Sequence, residues 1–421
     1  VLKGKEIHML DDQIFAQQKM VHGLGGVDSG IEICSECGEC ISKCFLADSY
    51  PEMSPRKLVS KVLKGREQEL VDSELIWACT LCGRCTTDCR KEIAMDQLVR
   101  YLRSLAWQQG KAPARLLQGV EKALEMGNNT GIDSEEFVET AQWMAEELEE
   151  ELETAPEGGL TVPFDRKGAE IFYVPNPREY TSTPEILNTY LKFFTYAGAD
   201  WTMSSRHFDI TNWAYYLGDQ EAAVKLVRNL VNEARRLNVR ILLSTECGHG
   251  FKILRKDAER WLGEPLGFQV LSIVELAHQL LAEGRLKVTP GVVKERVTYH
   301  DPCNVGRKLG IFDPPRDILR AICAEFVEMW PNRQYGLCCG GGGSVNQNPT
   351  FGQKRFEHAK LKRDQILRTG ASVVSTSCQN CLSQLDDLRG RYDMPVQVKS
   401  VIELLVEAVE ASREQPDPEA E

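Results

Sequence analysis

The sequence predicts an α + α/β protein: a helical N-terminal module followed by two α/β halves built on one plan. Three observations carry this reading. Two cysteine runs of identical spacing lie within the first ninety residues, and the stretches around them have helical rather than strand patterns. Beyond residue 160, short β-branched and aromatic runs alternate with helical stretches, as in parallel sheets with crossover helices. Two parts of that region also repeat one another at an offset of 131 residues.

The runs are Cys34, Cys37, Cys40, Cys44 and Cys79, Cys82, Cys85, Cys89. Each reads C-x2-C-x2-C-x3-C, a spacing that gives three thiolates to one [4Fe–4S] cubane and sends the fourth to its neighbour. Crossed ligation assigns Cys34, Cys37, Cys40 and Cys89 to one cubane, and Cys79, Cys82, Cys85 and Cys44 to the other. Between the runs, Ser54-Pro55-Arg56-Lys57 followed by Leu58, Val59, Val62 and Leu63 reads as a capped helix with proline in its first turn. A second helix is expected through Met95, Leu98, Val99, Leu102 and Leu105. Residues 1–110 therefore describe an α-helical ferredoxin-like module with two cubanes, rather than a small βαβ ferredoxin. Bacterial runs usually end in Cys-Pro. Here Phe45 and Arg90 follow the fourth cysteines, which alters a local turn more than the ligand set.

Residues 111–160 read as an acidic helical connector, with Glu146, Glu147, Glu149, Glu150, Glu151 and Glu153 in one stretch. That stretch is either a solvated helix face or a docking surface for a basic partner. Pro156, Gly158 and Gly159 mark a linker. The α/β halves follow at 161–290 and 291–411. Strands are expected at Ile171–Val174, Val239–Leu243, Val297–Tyr299 and Val373–Val374, and helices at Glu221–Arg236 and Phe356–Arg368. The polar tail, 412–421, is expected to be disordered.

In the repeat, Ser244-Thr245-Glu246-Cys247 matches Ser375-Thr376-Ser377-Cys378, each just after an expected strand. The same offset sets Gly250 opposite Cys381, His207 opposite Cys338 and Phe208 opposite Cys339. Only the second half keeps a full thiol set: Cys303, the adjacent Cys338 and Cys339, and Cys378-x2-Cys381. Loops leaving the C-terminal ends of parallel strands converge where open α/β sheets bind ligands. Five thiolates exceed the four that a zinc ion or a plain cubane takes, and adjacent cysteines wrap poorly around one tetrahedral ion. They suit a larger centre whose irons need neighbouring thiolates. Gly340 to Gly343 permit close backbone approach, so amide N–H groups can reach cluster sulfurs. The stretch is no nucleotide P-loop, since it lacks the lysine of that motif.

Other residues are weaker candidates. Cys323, in an apolar stretch with Ile318, Leu319 and Phe326, reads as a buried structural thiol on a helix. Cys247 is either a core thiol or an approach to the active centre from the pseudo-symmetric side. His207 and His249 are candidate catalytic proton donors, the alternative being structural imidazoles. Arg307 and Lys308 can balance cluster charge or hold an anionic substrate. Trp201, Trp213, Tyr215 and Tyr216 either line the first half's cleft or pack its core.

Composition removes several classes. The net charge of −12 and pI near 5.3 exclude a basic nucleic-acid-binding face, so no nucleic-acid partner is expected. No run of eighteen apolar residues occurs, which argues against a membrane span in this chain, and no secretory signal is recognisable. Fifteen cysteines, an odd count clustered as C-x2-C, fit iron in a reducing cytoplasm better than a disulfide scaffold.

The paired runs from Cys34 to Cys89, joined to Cys303, Cys338-Cys339-Gly340 and Cys378-x2-Cys381, resemble the D-type catalytic subunit of heterodisulfide reductase, a CCG-domain iron–sulfur protein. The likeness covers about residues 30–405. Thr245-Glu246-Cys247-Gly248-His249 and the worn first half are similar to the K-type subunit of the sulfite-reduction-associated membrane complex, or to subunits of transmembrane multihaem-cytochrome complexes. The resemblance implies a non-cubane [4Fe–4S] cluster on Cys303, Cys338, Cys339, Cys378 and Cys381 that reduces a disulfide-type bond. Its implied partners are a membrane cytochrome b-type or other quinone-linked subunit and further iron–sulfur or multihaem cytochrome subunits. The implied substrate is a thiol disulfide or a small sulfur-carrier protein. The expected location is cytoplasmic, peripherally attached to the inner face of the membrane through those partners. A second non-cubane centre in the first half is not expected, as His207, Phe208 and Gly250 occupy its ligand positions.

Rival readings are a non-catalytic electron conduit and the iron–sulfur subunit of a flavin-linked hydroxy acid or glycerol phosphate dehydrogenase. The latter needs a separate flavoprotein, since no G-x-G-x-x-G fingerprint occurs here. A zinc scaffold is a third, and would show zinc without labile sulfide.

Overall fold

The computed structural model describes residues 23–24, 27–152, 159–183 and 185–414. In the N-terminal module, α1 (Pro55–Leu63) starts on Pro55 and buries Leu58, Val59 and Val62 on one face. Helix α2 (Met95–Gln108) buries Leu98, Val99, Leu102 and Ala106, and with them Arg100 and Arg103. Both helices match their sequence expectation. The connector is two helices, α3 (Ala114–Met126) and α4 (Ser134–Glu151), the second capped by Asp133 accepting the Glu136 N–H. Phe137, Ala141, Met144, Ala145 and Leu148 form the buried face of α4, while Glu146, Glu147, Glu150 and Glu151 point to solvent. Glu149 is tied down, accepting the Leu160 N–H at 2.7 Å. Glu153, Pro156 and Gly158 lie outside the described residues.

Two four-stranded parallel sheets follow. The first holds β1 (Ile171–Val174), β2 (Trp201–Thr202), β3 (Ile241–Ser244) and β4 (Gln269–Ser272) in the order β2-β1-β3-β4. The second holds β5 (Val293–Tyr299), β6 (Cys323–Glu328), β7 (Val373–Thr376) and β8 (Gln397–Ser400) in the order β6-β5-β7-β8. The orders are the same. The last strands also end alike: Ser272 and Ser400 each begin a capping box, with Glu275 and Glu403, that launches α5 (Ile273–Ala282) and α6 (Val401–Arg413). Central strands are covered on both faces, so β1 and β7 are buried throughout.

One core joins the helical module to the first half, through Leu98, Leu102, Tyr215, Tyr216 and Phe251. A second joins the two halves, through Leu243, Leu276, Ile318 and Leu405. Three local expectations need correction. Cys323 does not lie on a helix: the helix Asp313–Ile322 stops one residue earlier and β6 begins at Cys323, which is buried all the same. The expected helix at 356–368 is two pieces, Lys354–His358 and Lys360–Leu367, broken at Ala359, where ψ is 2°. The tail is helical as far as Arg413, held by the Thr289 N–H donating to Ser412 Oγ at 2.7 Å, and residues 415–421 lie outside the described ones.

Candidate metal centres

The two cysteine runs are wound identically. Glu36 and Leu81, just before each second cysteine, have φ of 52° and 53°, and Gly38 and Gly83, just after it, 83° and 71°. These left-handed turns curl the backbone inward, so that the Leu81 N–H reaches Cys79 Sγ at 3.4 Å. Cys34, Cys37, Cys40 and Cys89 line one cavity of about 170 Å³, which Cys85 also borders. Cys44, Cys79, Cys82 and Cys85 line another. The fourth cysteine of each run has crossed to the other run's pocket.

The donor chemistry fits a multinuclear cation. Burial and the neighbouring Cys79 and Cys82 sulfurs push the Cys44 thiol up to about 12. Burial, with Cys82, Cys44 and Cys79 around it, holds Cys85 well above the usual thiol range. Thiolates so crowded persist only when metal neutralises them.

The C-terminal thiols gather at the C-terminal ends of β5 and β7 and in the loop after β6. Cys381 Sγ lies 3.4 Å from Cys339 Sγ. Cys378, at the N-terminus of the helix Gln379–Arg391, is brought down to about 6 by the Cys381 thiol and by N–H groups of Gly248, Cys381 and Asn380, against the opposing effect of burial. Cys338 touches both Cys339 and Cys82 of the second run. The Cys303 thiol is pushed up to about 12 by burial and by the nearby Cys82 and Cys339. All fifteen cysteines are free of disulfides, including the vicinal pair.

The glycine loop approaches both the C-terminal thiols and the second run. The Gly340 N–H reaches Cys338 Sγ at 3.4 Å. Gly342 and Gly343 also lie flat on the second run: a Cβ at Gly343 would meet Cys79 O at 2.5 Å, and one at Gly342 would meet Thr80 O at 3.0 Å. Arg307 and Lys308 serve the same junction rather than a substrate. Arg307 donates to the carbonyls of Cys82, Gln334 and Gly336, and Lys308 pairs with Asp96 at 2.8 Å. Sequence reasoning missed Arg103, which is fully buried and donates to Ile76, Cys79, Tyr216 and Gly343 carbonyls. Its place in an amphipathic helix gave no cue. It also missed Thr80, whose hydroxyl is 3.4 Å from Cys338 Sγ, and His300, whose ring nitrogen groups with Cys339 and Cys381 sulfurs.

Beside this cluster is a polar cleft of about 200 Å³ between the halves, lined by Arg115, Arg178, Asn176, His249, Cys378 and Asn380 among others. Cys247, Trp213 and Tyr216 line it too, whereas Trp201 and Tyr215 pack elsewhere, on Phe194 and on Arg100. Arg178 has no carboxylate partner among the described residues, its guanidinium donating only to the Gln379 carbonyl at 3.4 Å. Cys247 is thus close to the thiol cluster, on the opposite side of the cleft. His249 is there as well, but not as a near-neutral acid: burial, with Lys252 and Arg178 adding to it, pushes its pKa down to about 3. Its Nε2 accepts the Asn212 N–H at 3.2 Å, so Nδ1 carries the proton and faces Cys247 Sγ at 3.5 Å. His207 lies outside the cleft, in a separate small cavity with Gly127, Asp209 and Asn229.

Both cysteine sets fall within stretches that match known domains. Residues 297–386 match a cysteine-rich (CCG) domain, and residues 13–93 a 4Fe-4S dicluster domain. The chain is 25% identical over 407 residues to the D-type subunit of the dihydromethanophenazine:CoB--CoM heterodisulfide reductase of Methanosarcina barkeri, covering 90% of this chain and 94% of that one. It is 22% identical to the Hdr-like menaquinol oxidoreductase iron-sulfur subunit of Archaeoglobus profundus, covering 90% and 79%. It is 26% identical to a "Probable membrane-anchored ferredoxin" of Chromohalobacter salexigens, of which it spans only 56%. Two cysteine-bearing domains in this order, with that breadth of similarity, support a heterodisulfide-reductase-like, CCG-domain iron–sulfur protein.

Proposed function

We infer that this chain is the catalytic subunit of a membrane-associated redox complex and reduces a disulfide-type bond, on a thiol carrier or a small sulfur-carrier protein. The observation that carries the reading is the position of Cys378. One side of it meets Cys381 in the thiol cluster, and the other side lines the polar cleft.

Cys34, Cys37, Cys40 and Cys89 would hold one cubane, and Cys79, Cys82, Cys85 and Cys44 the second. Cys303, Cys338, Cys339, Cys378 and Cys381 would hold a non-cubane [4Fe–4S] centre. When bound, these groups supply one-electron transfer and the electrons for cleaving a sulfur–sulfur bond. The protein's own part is positioning. Arg103, Arg307 and Lys308 clamp the C-terminal thiols against the second run, and Gly342 and Gly343 let the backbones touch. Arg178 and Arg115 present positive charge to an anionic substrate end, Asn176 and Asn380 offer amides, and Trp213 and Tyr216 wall the cleft.

The module plan we infer is a dicluster module at 1–110, a connector at 111–160, and two halves at 161–290 and 291–411 related by duplication. The shared strand order and paired capping boxes support it. Among the described residues no helix is long and apolar enough to cross a membrane, so the attachment we infer is through a quinone-linked subunit. The names of the menaquinol- and dihydromethanophenazine-linked relatives support that partner.

The test is anaerobic redox titration and turnover with 2,2′-dithiodiglycolate, a disulfide with anionic ends. Thiol release and a substrate-dependent signal, both lost in Cys338→Ser, are the expected result. Iron-replete protein that passes electrons but neither binds nor cleaves any disulfide would leave the conduit reading standing instead.

A further inference from the structure

His300 is buried, with 2% of its surface exposed, and neither ring nitrogen finds a hydrogen-bond partner among the described residues. Its backbone is pinned to β7 on both sides: the His300 N–H donates to the Ser375 carbonyl at 2.8 Å, and Thr376 Oγ1 donates to the His300 carbonyl at 2.9 Å. The ring is therefore aimed by the sheet. A ring nitrogen, Cys339 Sγ and Cys381 Sγ all lie within 4.8 Å of one another. A buried imidazole left without donor or acceptor is costly, and native interiors rarely leave one so.

A second buried group stands beside it. Lys362 is 2% exposed, and the hydrogen bonds of its ammonium among the described residues are to neutral atoms, Gln365 Oε1 at 2.5 Å and Met329 Sδ at 3.9 Å. It has no carboxylate partner among the described residues. The charges it feels are those of Cys339, Cys338 and Cys381, with Asp301. A protein interior does not keep a lone cation unless something anionic faces it. An iron–sulfur body on these thiolates is anionic, and hydrogen bonds to its sulfurs tune its potential.

We propose that His300 is a positioning residue of the C-terminal iron–sulfur centre, giving one imidazole N–H to a sulfur of that centre beside the counter-charge of Lys362. The inference rests on the five-cysteine centre assigned above and adds a nitrogen contact that the cysteine motif does not contain. An N–H donor stabilises the electron-rich state, so removing it makes the centre harder to reduce. Gln keeps a side-chain N–H, whereas Leu keeps bulk without a donor.

The experiment uses the full chain, anaerobically reconstituted, with and without ¹⁵N-histidine, and the variants His300→Gln, His300→Leu and Lys362→Met. Iron and sulfide are counted, and pulsed EPR and redox titration follow the third centre. We expect about twelve irons in each protein, as three four-iron centres require. A weak nitrogen coupling should respond to ¹⁵N-histidine and vanish in His300→Leu. The midpoint potential should fall in His300→Leu and Lys362→Met, with partial recovery in His300→Gln. Three filled centres with no imidazole coupling and an unmoved potential would overturn the proposal. So would a coupling large enough for a direct iron–nitrogen bond, which makes His300 a ligand. Wild-type protein with only about eight irons, two centres' worth, would overturn the underlying assignment instead. If Leu disrupts folding, the wild-type coupling and the Gln variant still decide.

Discussion

Lys308 Nζ lies 2.8 Å from Asp96 Oδ2, and the two side chains are only 10% and 13% exposed. The pair joins the short helix Gly306–Leu309, just after Cys303, to helix α2, which stands behind the second cysteine run. Removing one partner leaves the other charge buried and unpaired, at a cost of about 3–5 kcal/mol. Lys308→Met and Asp96→Asn should each lower the melting temperature and slow reduction of the proposed C-terminal centre by electrons entering at the proposed cubanes. The double variant should recover part of the stability, which distinguishes a coupled pair from two independent losses. Thermal unfolding and stopped-flow reduction measure the two effects.

Glu179 is fully buried, and desolvation lifts its carboxyl to about 8, despite the hydrogen bond it accepts from Tyr173 at 2.7 Å. The folded state therefore holds a proton that the unfolded chain releases near pH 4.5. Between those values the native state binds more protons than the unfolded one, so stability falls as pH rises. The slope from this group is at most about 1.4 kcal/mol per pH unit, and it flattens above the folded value. Glu179→Gln should remove that part of the slope between pH 6 and 8.5, read as melting temperature against pH. A variant with the wild-type slope would assign the dependence to other groups.

Much of this arrangement was legible in the sequence because cysteine spacing encodes ligand geometry directly. The crossing of Cys44 and Cys89 and the strand ends at Val174 and Tyr299 follow from short-range patterns. The repeat of Ser244–Cys247 in Ser375–Cys378 likewise pointed to the matching sheet orders. What sequence could not convey was three-dimensional adjacency between modules. Arg103 and Lys308 look like ordinary charged residues on helical stretches, yet each is buried against a different module. His207 and His249 hold comparable places in the repeat, but only His249 faces the cleft. Its low proton affinity comes from burial, which is not visible in one dimension.

Arg178 offers a test of substrate class. It faces the cleft with no ion-pair partner among the described residues, and the proposed partner is an anionic substrate group. A hydrogen bond to a charged group is worth about 1.5–3 kcal/mol. Arg178→Met should therefore lower kcat/KM for 2,2′-dithiodiglycolate by roughly 10- to 100-fold. The same variant should leave an uncharged disulfide such as bis(2-hydroxyethyl) disulfide nearly unaffected. An equal loss for both would mean that Arg178 supports the fold of the cleft rather than its charge selectivity.

The exposed acids of α4 are the site for a partner test. Glu146, Glu147 and Glu150 point away from its buried face, whereas Glu149 is engaged with the Leu160 amide. Neutralising the three exposed residues to Gln should weaken binding of a basic partner protein at low salt and leave the melting temperature within about 0.5 kcal/mol of wild type in stability terms. Binding that is unchanged at low ionic strength would return this helix to a solvated face.

Gly343 tests the junction from the backbone side. Its φ is +60°, and a Cβ there would lie 2.5 Å from Cys79 O and 2.7 Å from Thr80 C. Neither atom belongs to a flexible side chain, so Gly343→Ala has to move one backbone away from the other. Arg103 would lose ground too, since it bridges the Gly343 and Cys79 carbonyls at 3.0 and 2.7 Å. Strain at positive φ costs on the order of 1–2 kcal/mol before the clash is counted. The expected outcome is an iron-replete protein in which the proposed cubanes are reduced at the normal rate while the proposed C-terminal centre is reduced more slowly. Electron transfer weakens steeply with separation, so even a small displacement of the loop should register in that second phase. Rapid-freeze EPR after mixing with reductant resolves the two phases, and a wild-type second phase in Gly343→Ala would show that electrons reach the C-terminal thiols by a route other than this contact.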